Sequence, residues 1–253
     1  LVGKFAVAGL GLAAAFLSGP AMAGAWPMEP GRTQLISKYE SNETQKAYDI
    51  DGQDIEIPTH AYRAGEVFIE RGISRRLTLQ GNFRYLQGQE GSDATYTRST
   101  ADLGLRFVAY QGRSLVISLY GGAAVLKSDQ NQLIAESVRD VGDPEFRILV
   151  GRNFILWRRK AFAEVQGAQL GHRGKPLERR LESRIGVDIS PAWQFLWQYN
   201  QGSNRTDAQW LKSEVSIVRK LGPASLQLGW RKSLAGQQTA HESGPVVGVW
   251  YRF

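Results

Sequence analysis

The chain has 253 residues and no cysteine. That excludes a disulfide framework, a thiolate metal site and a thiol nucleophile. After the first two dozen residues, no apolar run reaches the ~18 residues that a membrane-spanning helix needs. The longest candidate, from Leu115 to Leu126, is broken by Ser118, Tyr120 and a glycine pair. The formal charge is +7, yet no run of five or more lysines and arginines occurs. So dispersed a charge lacks the footprint of a nucleic-acid binder. Helical spacing over a long window is also scarce. There is no glycine-rich phosphate loop, and "GLGLAAA" and "YGGAAV" are small-residue packing.

What is present begins with "LVGKFAVAGLGLAAAFLSGPAMA". Lys4 precedes a short apolar core, a Gly-Pro break and Ala21-Met22-Ala23. These are the parts of a cleavable secretory signal peptide, expected to span residues 1–23 and to leave 24–253 as the exported protein.

The rest alternates with period two. Leu103, Leu105 and Phe107 oppose Asp102, Gly104 and Arg106. Trp193, Phe195, Trp197 and Tyr199 oppose Gln194, Leu196, Gln198 and Asn200. Such runs predict about twelve strands, near 31–48, 61–73, 77–88, 95–110, 114–127, 143–157, 160–172, 178–190, 193–203, 208–221, 224–236 and 244–253. They run to about ten residues or more, the length of a tilted transmembrane strand rather than the ~5–6 of a soluble one. Short links (74–75, 111–113, 158–159, 191–192, 222–223) alternate with longer ones (49–60, 89–94, 128–142, 173–177, 204–207, 237–243). Tight periplasmic turns alternating with longer outer loops mark an outer-membrane barrel. The expected fold is therefore all-β, a transmembrane antiparallel up-and-down β-barrel of about twelve strands in the bacterial outer membrane. A soluble β-sandwich is the alternative fold.

In a barrel the apolar face meets lipid and the charged face lines the lumen. The lumen set is Glu66, Glu70, Arg84, Asp102, Arg106, Arg147, Glu164, Glu182, Arg184, Asp188, Glu214, Lys220, Arg231 and Arg252. Twelve strands enclose more than the ~8 whose interior side chains alone fill. Either long Arg and Glu side chains bridge the interior as an ion-pair lattice, or they ring a water path. Aromatics are expected in two interfacial girdles: Tyr110, Trp157, Phe162, Trp193, Tyr251 and Phe253 near the short turns, and Tyr39, Tyr62, Tyr85, Tyr199 and Trp210 near the long loops. Arg173, Lys175, Arg179, Arg180, Arg205 and Lys212 stand in or beside the outer loops. They form either a collar for outer-membrane lipids, lipopolysaccharide included, or solvated charges.

No chemistry assembles. His60, His172 and His241 have no metal spacing between them. Neither His172 with Ser183 nor His241 with Ser243 matches the Ser-His-Asn motif of the barrel phospholipases. "DIDGQDIEIP" departs from the calcium-loop spacing, which favours a solvated acidic loop. No cofactor, metal or catalytic residue is expected.

"RDVGDPEFRILVGRNF" (139–154) and the terminal "VVGVWYRF" resemble the outer-membrane barrels of the meta-pathway phenol degradation family, which are transporter-like. The resemblance implies a barrel, passage of a small solute, and recognition of Tyr251 and Phe253 by the barrel-assembly machinery. The N-terminus departs from the fatty-acid transporter pattern, since no helical plug region precedes the first strand. Two functions stand open: a channel for a small solute, or a structural or interaction barrel closed by lumen ion pairs and engaged through 128–142 and 237–243. A lipid-modifying enzyme is a third.

Overall fold

The computed structural model describes residues 24–91, 94–130, 140–171, 177–203 and 208–253. The expected signal peptide, most of loop 128–142, His172, Arg173, Lys175 and Arg205 lie outside the described residues. Twelve long strands and one two-residue strand form the fold: β1 (Thr33–Tyr48), β2 (Asp54–Gly72), β3 (Leu77–Glu90), β4 (Ala94–Gln111), β5 (Leu115–Gln130), β6 (Pro144–Leu156), β7 (Arg159–Leu170), β8 (Glu178–Asp188), β9 (Trp193–Ser203), β10 (Gln209–Leu221), β11 (Ala224–Gln237), β12 (Thr239–Ala240) and β13 (Ser243–Arg252). The described residues contain no helix.

Each long strand pairs antiparallel with its neighbours along the chain, and β13 pairs with both β11 and β1. β1 also pairs with β2, so the sheet closes into a twelve-strand barrel with no free edge. The seam runs from Gln34↔Arg252 to Glu40↔Val246. Phe253 completes it: its N–H donates to Thr33 O at 2.9 Å, and Thr33 N–H donates to Phe253 O at 2.7 Å. Closure satisfies the backbone donors and acceptors that lipid could not. β12 pairs with Ala47 and Tyr48 of β1 inside the last outer link.

Alternation decides the faces. Along β13, Val246 and Trp250 are 1% and 7% exposed, whereas Val247 and Tyr251 are both 43% exposed. The exposed wall is built from Leu103, Leu105, Phe107, Ile148, Trp197, Leu228 and similar residues. A continuous apolar exterior around a polar interior is the arrangement of a barrel in lipid. The chain is thus an outer-membrane β-barrel.

Two of the links that differ from expectation bear on chemistry and turn type. β2 begins at Asp54, so the acidic link is only 49–53, and Asp49 Oδ1 accepts from the N–H groups of Asp51 and Gln53 at 2.9 and 2.8 Å. That Asx-type turn uses the carboxylate a calcium loop would need. The turn after β6 is Trp157-Arg158, at φ 47° and 64°, one residue earlier than expected. A two-residue hairpin turn with positive φ at both central positions is of type I′, which usually announces itself with Asn-Gly. Trp-Arg carries no such signal.

Candidate functional site

The lumen is stacked in layers along the barrel axis. A little in from the short-turn end, Ile36, Phe162, Leu196, Val218 and Trp250 form one buried apolar cluster with Phe68 and Trp26 against it. The five buried members are each the third or fourth residue from the short-turn end of their strands. They sit at one height and make an apolar floor. Trp250 Nε1–H donates to Gln227 Oε1 at 3.1 Å, which satisfies the indole in this layer.

Phe162, Tyr62 and Trp210 correct the girdle assignment. Phe162 is 3% exposed, Tyr62 is buried, and both Tyr62 and Trp210 line the lumen cavity. Each stands an even number of residues from a lumen carboxylate (Glu164, Glu66 and Glu214), so strand parity carried the signal. Glycine makes the room. Phe162 pairs with Gly186 and Trp210 with Gly202, and a Cβ on either glycine would come within 2.0 or 2.2 Å of the ring. Tyr110, Trp157, Trp193, Tyr251, Phe253, Tyr39 and Tyr85 do face outward.

A strap of chain, residues 24–32, lies against the floor. Among the described residues this segment is irregular, bent at 24–26 and turning where Arg32 N–H donates to Glu29 O. Ala25 is fully buried and Met28 nearly so. Ala25 N–H donates to Glu164 Oε2 at 2.8 Å, and Ser118 Oγ–H donates to Ala25 O at 2.6 Å. Met28 N–H donates to Thr78 Oγ1 at 3.2 Å. Arg106, itself fully buried, donates to Trp26 O at 2.6 Å, to Gly24 O, and to Glu70 Oε1 at 2.6 Å. The Trp26 ring meets Phe162 edge-on at 5.9 Å and lies over Gly151, where a Cβ would approach it to 2.6 Å. Trp26 also joins a second buried cluster of Ala25, Val108, Val116, Tyr120 and Leu149. The strap therefore crosses from β1 to the wall of β4–β7, and its sequence, "GAWPMEPGR", gives no alternation that would show this.

Above the floor lies a charged layer. Glu40, Arg84, Arg231 and Glu214 are each the eighth residue from the short-turn end of their strands. Glu40 bridges Arg84 and Arg231. Arg231 reaches Glu214 at 2.8 Å, and Lys38 joins at 3.3 Å. Gln198 and Gln227 also donate to Glu214, at 2.7 and 2.9 Å. Five strands are tied in one network. Lys38 and Glu40 were not singled out from the sequence, although they alternate with Ile36 on one face of β1.

The other expected lumen residues are placed as follows. Asp188 takes Lys220 at 2.7 Å, Arg147 takes Glu145 at 2.6 Å, and Arg252 donates to Gln34 Oε1 at 2.6 Å. Glu182 accepts from Gln166. Glu164 and Arg184 are cross-strand partners, as are Glu66 and Arg84. Glu66, Asp102, Glu182 and Arg184 line a cavity of about 600 Å³ that extends from Trp250 and Phe162 up to Tyr96, Arg180 and Glu242. Arg180 and Lys212, grouped by sequence with an outer collar, instead pair with Glu178 and Glu242. Burial works to raise the Glu242 carboxyl, but Lys212, Arg231 and Arg84 outweigh it and hold it below the usual carboxylate range.

The histidines form no catalytic set among the described residues. His241 stacks on Tyr48 at 4.0 Å and faces Asp54 at 3.1 Å, while Ser243 Oγ accepts from Trp230 Nε1–H. No group of metal-ligating side chains occurs among the described residues.

No protein-family model matches the chain, and no curated protein matches it in sequence. Solved structures share its fold. An outer-membrane channel from Pseudomonas putida F1 is 12% identical, with TM-score 0.57 over 90% of this chain and 97% of that one. The KdgM porin is 10% identical, with TM-score 0.52 over 86% and 99%. The translocator domain of the autotransporter NalP from Neisseria meningitidis is 15% identical, with TM-score 0.52 over 89% and 90%. Channels, porins and autotransporter translocators match alike. The likeness supports an outer-membrane barrel and does not single out the phenol-degradation branch.

Proposed function

We propose that this outer-membrane barrel is a closed one: a structural or interaction barrel whose lumen is sealed toward the periplasm, leaving a polar vestibule on the outer side. One observation carries the reading. The strap and the apolar floor occupy the same height, and Trp26 packs into both buried clusters. An apolar, water-excluding constriction opposes ion passage. Above it, the Glu40–Arg84–Arg231–Glu214 network is satisfied internally and binds the walls together. On this reading residues 1–23 are removed on export, and the new Gly24 amine lies beside Glu164. N-terminal sequencing of the membrane-extracted protein checks the cleavage.

A second reading, a gated channel for a small polar solute, draws on the strap's attachment. Residues 24–28 are held by side chains, and backbone bonding to β2 begins only at the Pro30–Gly72 bridge, so that part can leave without opening the barrel. Planar-bilayer recording decides between the two. Wild type is expected to give no stable current. Gly151→Val pushes a side chain into the Trp26 ring, and it is expected to give current steps, as is deletion of residues 24–30. Steady wild-type conductance of porin size overturns the closed barrel.

A further inference from the structure

We infer that the neighbouring tips of the β4–β5 and β6–β7 hairpins form a binding site for the phosphate headgroup of an anionic phospholipid in the periplasmic leaflet. The two tips carry "QGRS" (111–114) and "RNFILWRRK" (152–160), which hold Arg113, Arg152, Arg158, Arg159 and Lys160 and no carboxylate. All five cations are exposed, and among the described residues none has an ion-pair partner. The lumen behaves otherwise, because its cations at Lys38, Arg84, Arg106, Arg147 and Arg231 are all matched to glutamates.

The tips form one surface. Asn153 N–H donates to Ser114 O at 2.8 Å, and Arg152 pairs with Leu115. Arg152 points outward, because Leu149 and Gly151 take the lumen side. It is the fifth residue from the short-turn end of β6, about 10 Å along the axis at ~3.3 Å per residue and a ~45° tilt. A lipid-facing cation is costly at the bilayer midplane and nearly free at headgroup depth, where its stem can snorkel to phosphate.

Apolar groups on the same tips select lipid over a soluble anion. Trp157 is 85% exposed at the apex, and Phe154 and Leu156, on the same outward face as Arg152, are half-buried beside it. An indole with a wet edge and an apolar body belongs at the headgroup boundary. Arginine pairs with phosphate oxygens in a fork, which converts a diffuse positive rim into a site.

The test uses the full chain, folded in detergent, in native mass spectrometry with phosphatidylglycerol and phosphatidylcholine of identical acyl chains. Wild type is expected to retain phosphatidylglycerol in preference. R113Q/R158Q/R159Q/K160Q is expected to lose that preference by about fivefold per headgroup-contacting cation, while K46Q/R63Q at the outer end keeps it. Heat-modifiable gel mobility confirms that each variant is folded. Equal retention of both lipids by wild type, or a preference that survives the quadruple change, overturns the proposal. So does displacement of the lipid by an equal concentration of inorganic phosphate, which would mark a free-anion site.

Discussion

Arg106 ties the strap to the barrel wall. It is fully buried, it neutralises Glu70, and it grips two carbonyls of the strap. Arg106→Ala would strand Glu70 without its countercharge, and breaking one partner of a buried pair costs about 3–5 kcal/mol. Urea titration of the folded barrel, read by gel mobility, should show that loss. Replacing both Arg106 and Glu70 with methionine should recover most of it, because no unpaired charge then remains. At the outer end the Lys212–Glu242 contact sets a pH dependence. The Glu242 carboxyl is depressed by its cationic neighbours, so its stabilisation is present above the ordinary Glu value of about 4.3 and is lost as pH falls through the lower folded value. Protection factors at 238–243, taken after correction for the intrinsic pH dependence of amide exchange, should therefore stay constant from pH 7 to about 5 and fall only below about 4. Glu242→Gln should remove the acid step.

Strand pairs give the next scale. The glycines opposite Phe162 and Trp210 are packing devices. Gly186→Ala puts a methyl into Phe162 and should destabilise by about 1–3 kcal/mol, the usual cost of overpacking. Gly167 faces outward with nothing near its Cβ position, and Gly167→Ala should be neutral or stabilising by up to about 1 kcal/mol. Urea midpoints of the two variants, measured side by side, check the contrast. Period-two alternation located nearly every strand to within a few residues, because burial on one face and lipid on the other write opposite chemistry at odd and even positions. The inward aromatics escaped for a related reason. Aromatic character suits the girdle and the floor equally, and only parity with nearby carboxylates separates them.

At the scale of the whole barrel, closure is the event that matters. The seam joins the first and last long strands, and Phe253 supplies its final pair of hydrogen bonds. Deleting Phe253 removes both, and at about 0.5–1.5 kcal/mol each the seam should loosen by about 1–3 kcal/mol. A smaller heat-modifiable folded fraction should result, with lumen properties of the folded remainder unchanged. A fold-independent defect in membrane delivery with normal in-vitro folding would instead point to recognition of the terminal aromatic itself.

The sequence by itself determined the barrel: its alternation, its strand lengths, and its short and long links each follow from crossing lipid with a closed sheet. Parity assigns a strand's charges to one face or the other, yet Lys38 and Glu40 were not singled out from the sequence, and Arg180 and Lys212 were grouped there with the outer loops. The tertiary structure alone decided what the interior does with them. Glu40, Arg84, Arg231 and Glu214 meet because strand stagger brings them to one height, and no local pattern encodes height. The strap carries no periodicity, so its seat between Arg106, Glu164 and Gly151 exists only once the barrel has closed around it.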